Sequence, residues 1–206
     1  MKRVWKKALG AIGAWALITL AGAAAHAAQS DPAAAQIEAF DASLLETMKA
    51  AKTLGLEGRT HKLEPVVRRA FDTATMIRFA VGPSWSSLSA ADQGALKDAF
   101  ERLTVAGYAR NFDGYSGETF EINPNVLTRG PDKVVKTQLI SPHDAPTTIS
   151  YRMRQSGGDW KIIDVYYNGA ISELTTRRAD FASTLAKGGA PALIAHLNAL
   201  AEKGAK

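Results

Sequence analysis

Residues 159–181 read DWKIIDVYYNGAISELTTRRADF, and this stretch decides the fold. From Trp160 to Tyr167 only Lys161 and Asp164 interrupt a run of apolar residues. Strict alternation places Trp160, Ile162 and Tyr166 on one face and Ile163, Val165 and Tyr167 on the other. A strand apolar on both faces is covered on both, by helices or by a bound apolar ligand. Asn168-Gly169 ends the strand, and Ile171, Leu174, Phe181 and Leu185 then recur at helical spacing.

Working outward, Ser156-Gly157-Gly158-Asp159 reads as a hairpin turn joining this strand to Thr147–Arg154. There Ile149, Tyr151 and Met153 face one way, and Thr148, Ser150, Arg152 and Arg154 the other. Asp132–Ile140 and Glu118–Asn123 are two earlier strands, the latter stopped by Pro124. The short links imply an antiparallel meander. Before the sheet, residues 32–112 hold four helices. The first starts at Asp31-Pro32 and carries Ile37, Phe40, Leu44, Leu45 and Met48 to about Leu54, where Gly55 and Gly58 end it. Arg59–Ala70 is the second. FDTATMIRF is the third, with Phe71, Met76, Ile77 and Phe79 at helical spacing before Gly82-Pro83 stops it. The fourth starts at Ser89 and bears Leu96, Phe100, Leu103, Tyr108 and Phe112 as one stripe. After the sheet (118–168), helices fill 170–203, broken at Gly188-Gly189 and restarted at Pro191. The expected class is α+β, a four-stranded antiparallel sheet wrapped by N-terminal and C-terminal helices.

The first 27 residues stand apart. Lys2, Arg3, Lys6 and Lys7 precede an uncharged apolar run from Ala8 to Ala24, and Ala25-His26-Ala27 supplies a small-x-small cleavage pattern. This is the layout of a cleaved signal peptide, so residues 28–206 are expected to be one exported, periplasmic domain. Removing those four bases leaves 21 Lys+Arg against 20 Asp+Glu, a formal charge of +1 in place of +5. A near-neutral domain carries no nucleic-acid footprint. The chain has no cysteine, which excludes thiol catalysis, thiolate metal sites and disulfides.

Chemistry is sparse. His61, His143 and His196 have no metal-ligand spacing, and no P-loop, GxSxG or dinucleotide fingerprint is present. No catalytic residue, cofactor or metal is expected. Asp164 interrupts an apolar strand, so it needs a partner, and Arg152 or Arg154 on the preceding strand is the expected one. Arg177 and Arg178 follow Glu173, whose i,i+4 spacing to Arg177 suits a solvated helix face. Arg178, however, falls on the Ile171, Leu174, Phe181 stripe, which makes the pair candidates for contact with a partner or a lipid head group.

The opening stretch, with FDTATMIRF, VGPSW, GYARNFDGYSG and ISYRMRQSGGDWKI, resembles the MlaC family of periplasmic lipid carriers, the toluene-tolerance-type auxiliary proteins. Within it, GRTHKLEPVV, FDGYSGETF and ISELTTRRADF are most similar to the hopanoid-biosynthesis-associated branch, HpnM. The resemblance implies a nuclear-transport-factor-two-like sheet enclosing an apolar pocket, and a lipid cargo, a hopanoid or a phospholipid. It also implies an inner-membrane transporter of the resistance-nodulation-division class or the ABC type as partner, with an outer-membrane component beyond. A pocket that removes ~400 Å² of lipid surface from water gains roughly 10 kcal/mol before association costs. The expected lining is Tyr151, Trp160, Ile162, Val165 and Tyr166 on the sheet, roofed by Phe79, Phe100 and Tyr108. Two other readings use the same elements: a small enzyme with Asp164 or His143 as base, and an adaptor bridging envelope complexes without a pocket.

Overall fold

The computed structural model describes residues 31–169 and 171–203; the expected signal peptide lies outside them. Five helices and six strands follow in order: α1 (Pro32–Lys49), α2 (Ala51–Ala70), α3 (Thr73–Val81), α4 (Ala90–Asn111), β1 (Thr119–Ile122), β2 (Leu127–Arg129), β3 (Asp132–Ile140), β4 (Thr147–Ser156), β5 (Asp159–Tyr167), β6 (Ile171–Ser172) and α5 (Glu173–Glu202). A 3₁₀ turn, Gly82–Ser87, links α3 to α4. The class is α+β, as expected.

Side-chain caps start four of the helices. Asp31 accepts from the Ala33 amide (2.9 Å) ahead of Pro32, and Asp72 from Thr75 (2.9 Å). Ser89 accepts from the Asp92 amide (3.1 Å) and donates back to its carboxylate (2.7 Å), while Ser172 accepts from Thr175 (3.0 Å). The first helix ends earlier than expected, at Lys49; the chain turns at Ala50 and bends again at Gly55, whose φ of 60° suits glycine alone. Arg59, 9 % exposed, closes the gap, donating to Ala109 O (2.8 Å) at the end of α4 and to Ala51 O (3.2 Å). The expected break at Gly188-Gly189 is a kink within α5, and the His196–Asp180 contact (2.8 Å) spans it.

The sheet runs β1-β3-β4-β5-β6, with β2 sharing the β3 edge with β1, and every pairing is antiparallel. Six strands replace the expected four. β2 has three exposed residues and pairs through the Gly130-Pro131 turn; β6 is two residues long, one exposed and one half-buried, and follows Asn168 and Gly169, both at positive φ. Ile171, expected on the helix stripe, lies in β6 and is 63 % exposed.

Between Arg152 and Met153 the β4–β5 register slips by one residue, a bulge at Ile162–Ile163. Beyond it Val165 and Tyr167 stand opposite Tyr151 and Ile149, and before it Ile162 stands opposite Met153. Ile162, Val165 and Tyr167 therefore share the helix-covered face. The bulge also anchors the helices: Phe71 bridges to Ile162, and Asp72 N donates to Ile162 O (2.9 Å). Lys161 Nζ to Arg69 O (2.6 Å) and Lys133 Nζ to Asp31 (2.6 Å) tie the same end of the sheet to α2 and α1.

Asp132, 1 % exposed at the start of β3, is held by Arg152 Nε (2.7 Å) and by Arg154 through Nε (2.5 Å) and Nη2 (3.0 Å). Burial pushes its carboxyl up, but the two guanidiniums outweigh that and hold it below 3.8. The stability it adds is present above the unfolded value of 3.8 and is lost as pH falls through the lower folded value. Asp132→Asn is expected to lower unfolding free energy by about 2–3 kcal/mol at pH 7 and to flatten the acid limb of a urea-midpoint-versus-pH profile.

Candidate functional site

The inner face of the sheet is set by alternation along β3 and β4: Val135 and Thr137, then Ile149, Tyr151 and Met153, all buried. β5 adds Ile162 and Val165. Against this face α1 lays Ile37, Phe40 and Leu44, α4 brings Tyr108, and the α2–α3 junction brings Phe71. The rings interlock edge to face. Phe40 meets Phe71 at 5.3 Å, Tyr108 at 5.3 Å and Tyr151 at 6.1 Å, and Phe71 meets Tyr108 at 5.5 Å. The seam between sheet and helices, where a pocket was expected, is thus filled by its own aromatic side chains.

Four of the expected lining residues meet on this seam: Tyr108, Tyr151, Ile162 and Val165. Phe100 is buried behind it, edge-on to Phe181 at 6.5 Å. Trp160 sits near the start of α1 with Lys133 Nζ 4.7 Å over its ring, and Phe79 lies 5.7 Å from the Arg154 guanidinium. Tyr166 belongs elsewhere. It lies on the outer face, in a shallow recess with Arg129, Lys136, Ser150 and Arg152, because the bulge shifts the alternation that grouped it with Ile162. Phe40 and Phe71 were legible only as core, and the structure places them at the centre of the seam.

Asp164 does not take an arginine. Arg152 stands opposite it in register, yet both arginines of β4 turn to Asp132. Asp164 instead accepts from Ser172 Oγ (2.7 Å) and from the amides of Val165 (2.9 Å) and Leu174 (3.5 Å). A hydroxyl and two amides satisfy it without a cation, and they lock the β5–β6 turn to the start of α5. Arg177 pairs with Glu173 (2.8 Å) beside a small recess of about 160 Å³ that reaches Tyr108 and Tyr167. Arg178 donates to Phe79 O (2.7 Å), capping α3. Among the described residues no three His, Asp or Glu side chains gather as a metal site. A separate groove of about 820 Å³ runs between α2, α4 and the end of α5 and is lined by Glu57, His61, Glu64, Arg102 and Arg110 among others.

One carboxyl on the seam was missed. Asp41 continues the Ile37, Leu44, Met48 face of α1 at i, i+4, i+7 and i+11, which a helical wheel exposes once Phe40 is not allowed to stand for the turn. It is 3 % exposed, and among the described residues neither of its oxygens has a hydrogen-bond partner; the same holds for the hydroxyl of Tyr151 beside it. Burial drives the Asp41 carboxyl up to about 8, against a smaller opposing pull from Tyr151.

Between the unfolded value of 3.8 and about 8, the folded chain keeps a proton at Asp41 that the unfolded chain has released. Its contribution is therefore most favourable below 3.8 and is lost as pH rises toward 8, at a slope of the order of 1 kcal/mol per pH unit. Asp41→Asn, neutral at every pH, is expected to be more stable than the parent at pH 8 and to narrow that gap at pH 5. Urea midpoints of both proteins across that range measure it.

The family model of the MlaC protein matches residues 38–199. Among solved structures, a phospholipid-binding protein from Ralstonia solanacearum, in complex with a phospholipid, superposes with a TM-score of 0.74 at 23 % identity, covering 85 % of this chain and 100 % of that one. The likeness establishes a shared fold. No curated protein sequence matches. With helices α1–α5 and the whole sheet inside or overlapping the matched span, the chain belongs to the MlaC family.

Proposed function

We propose that this protein is a periplasmic lipid carrier. The observation that carries the reading is the seam. Its sheet face and helical layer meet through Phe40, Phe71, Tyr108, Tyr151, Ile162 and Val165, and the polar ties between sheet and the α1–α3 layer, at Lys133, Lys161 and Ile162, lie together at one end. Apolar contacts of that kind are non-directional. A lipid's carbons substitute for the ring contacts where the layers part, away from the end that the Asp72–Ile162 backbone bond holds closed. Family membership and the phospholipid bound to the Ralstonia neighbour support this reading.

In this proposal Tyr108, Tyr151, Ile162 and Val165 touch the apolar body of the cargo, and Arg177, at the recess beside Tyr108, meets its polar end. Two cargoes are supported by different observations. The neighbour's ligand favours a phospholipid, while GRTHKLEPVV, FDGYSGETF and ISELTTRRADF favour the HpnM branch and a hopanoid. The chain is exported by its N-terminal signal, performs no catalysis, and exchanges cargo with an inner-membrane transporter and an outer-membrane component.

The protein purified from a host that makes both lipid classes is expected to yield about one lipid per chain on solvent extraction and mass spectrometry. The emptied protein should then take the same lipid from vesicles. Extraction of a hopanoid or of a phospholipid identifies the cargo; absence of any lipid together with no uptake from vesicles overturns the carrier reading.

A further inference from the structure

We propose that Asp41 and Tyr151 form a hydrogen-bonding subsite inside the seam that takes a single alcohol hydroxyl of the cargo. The proposal rests on the lipid-carrier reading and narrows it to a class of lipid: one that is apolar apart from a hydroxyl in its buried part, such as a polycyclic or long-chain alcohol.

The geometry is unusual for a core. Asp41 comes from α1 and Tyr151 from β4, the middle strand, so the two groups face each other across the surface that a bound lipid would separate. They are 3 % and 0 % exposed, and close enough for each to act on the other's proton, yet both oxygens of Asp41 and the phenol of Tyr151 find no partner at full hydrogen-bond geometry among the described residues. Buried polar groups are nearly always paired, and an exception calls for a group that completes it. Elsewhere the rule holds: Asp132 and Asp164, the other buried carboxyls among the described residues, are both engaged.

The chemistry selects the missing group. Burial keeps the carboxyl protonated to about pH 8 and the phenol protonated well beyond its ordinary range. A neutral carboxylic acid and a phenol each donate one hydrogen bond and accept at least one. A third neutral group with one donor and one acceptor closes the set, and an alcohol is that group. A phosphate would set negative charge against a carboxyl. An ammonium would require the carboxyl to ionise against its burial. The methyl end of an acyl chain would leave all three oxygens unsatisfied.

The test uses two triterpenoids of the same skeleton, 22-hydroxyhopane and the corresponding alkene, offered to the delipidated mature protein from phosphatidylglycerol vesicles. Bound lipid is counted by mass spectrometry. The hydroxylated member is expected to be retained about three- to tenfold more tightly, the weight of one or two net hydrogen bonds. Asp41→Leu should abolish the difference, Tyr151→Phe should reduce it, and Asp41→Asn should retain part of it. Because the comparison in the unaltered protein needs no variant, a failure of Asp41→Leu to fold leaves it decisive. Equal retention of the two triterpenoids overturns the subsite, assigns the pair to an enclosed water, and leaves the carrier reading standing. Failure to bind either triterpenoid or the phospholipid overturns both.

Discussion

The extra residue at Ile162–Ile163 lets β5 stay paired with β4 on both sides of it while the side chains change phase between. Without it, a strand with Ile162 facing the helices would send Val165 and Tyr167 outward and bring Asp164 and Tyr166 onto the aromatic seam. With it, Asp164 faces the turn that starts α5, where Ser172 meets it. Ile162, beside the extra residue, offers its carbonyl to Asp72 and thereby fixes the junction of α2 and α3 to the sheet. The composition of the seam depends on that one irregularity, and the α2–α3 junction is docked beside it.

Three buried carboxyls show how differently one side chain is accommodated. Asp132 is neutralised by two arginines whose stems lie on the neighbouring strand. Asp164 is held as a turn element by a hydroxyl and two amides. Both arrangements are complete, and both are structural. Asp41 has neither charge compensation nor amides, and it lies beside Tyr151 on the apolar seam. Its position on the seam is what separates a functional reading of that residue from the reading that suits the other two.

The sequence reading recovered the long elements because their signals are clear: helical spacing along α1, the Ser89 cap at the start of α4, and a period of two along β3 and β4. It missed β2 and β6, which are three and two residues long and bury no alternating face. The bulge was also hidden, since a run apolar on both faces gives no sign of where its phase changes, and Tyr166 was placed on the wrong side as a result. Tyr108 and Tyr151 gather on the seam because they lie on α4 and β4, whose phase was readable, while Ile162 and Val165 join them there only because the bulge turns both to one face. The partner of Asp164 was beyond reach for another reason: register brought Arg152 opposite it, but competition from Asp132 is a three-dimensional fact.

The ties between sheet and helical layer have a consequence for how the chain reaches this state. Lys133 finds Asp31 across 102 residues, Lys161 finds Arg69 across 92, and Arg178 reaches Phe79 across 99. Such contacts form only after long loops have closed, and their entropy cost precedes their reward. Helices α1–α4 are complete long before the strands that cover Phe40, Phe71 and Tyr108 exist. With no cysteine in the chain, no disulfide can hold an intermediate together. During synthesis the aromatic half of the seam is left uncovered until β5 arrives, so the surface proposed to serve a lipid in the finished protein is the one most exposed to aggregation in the unfinished one.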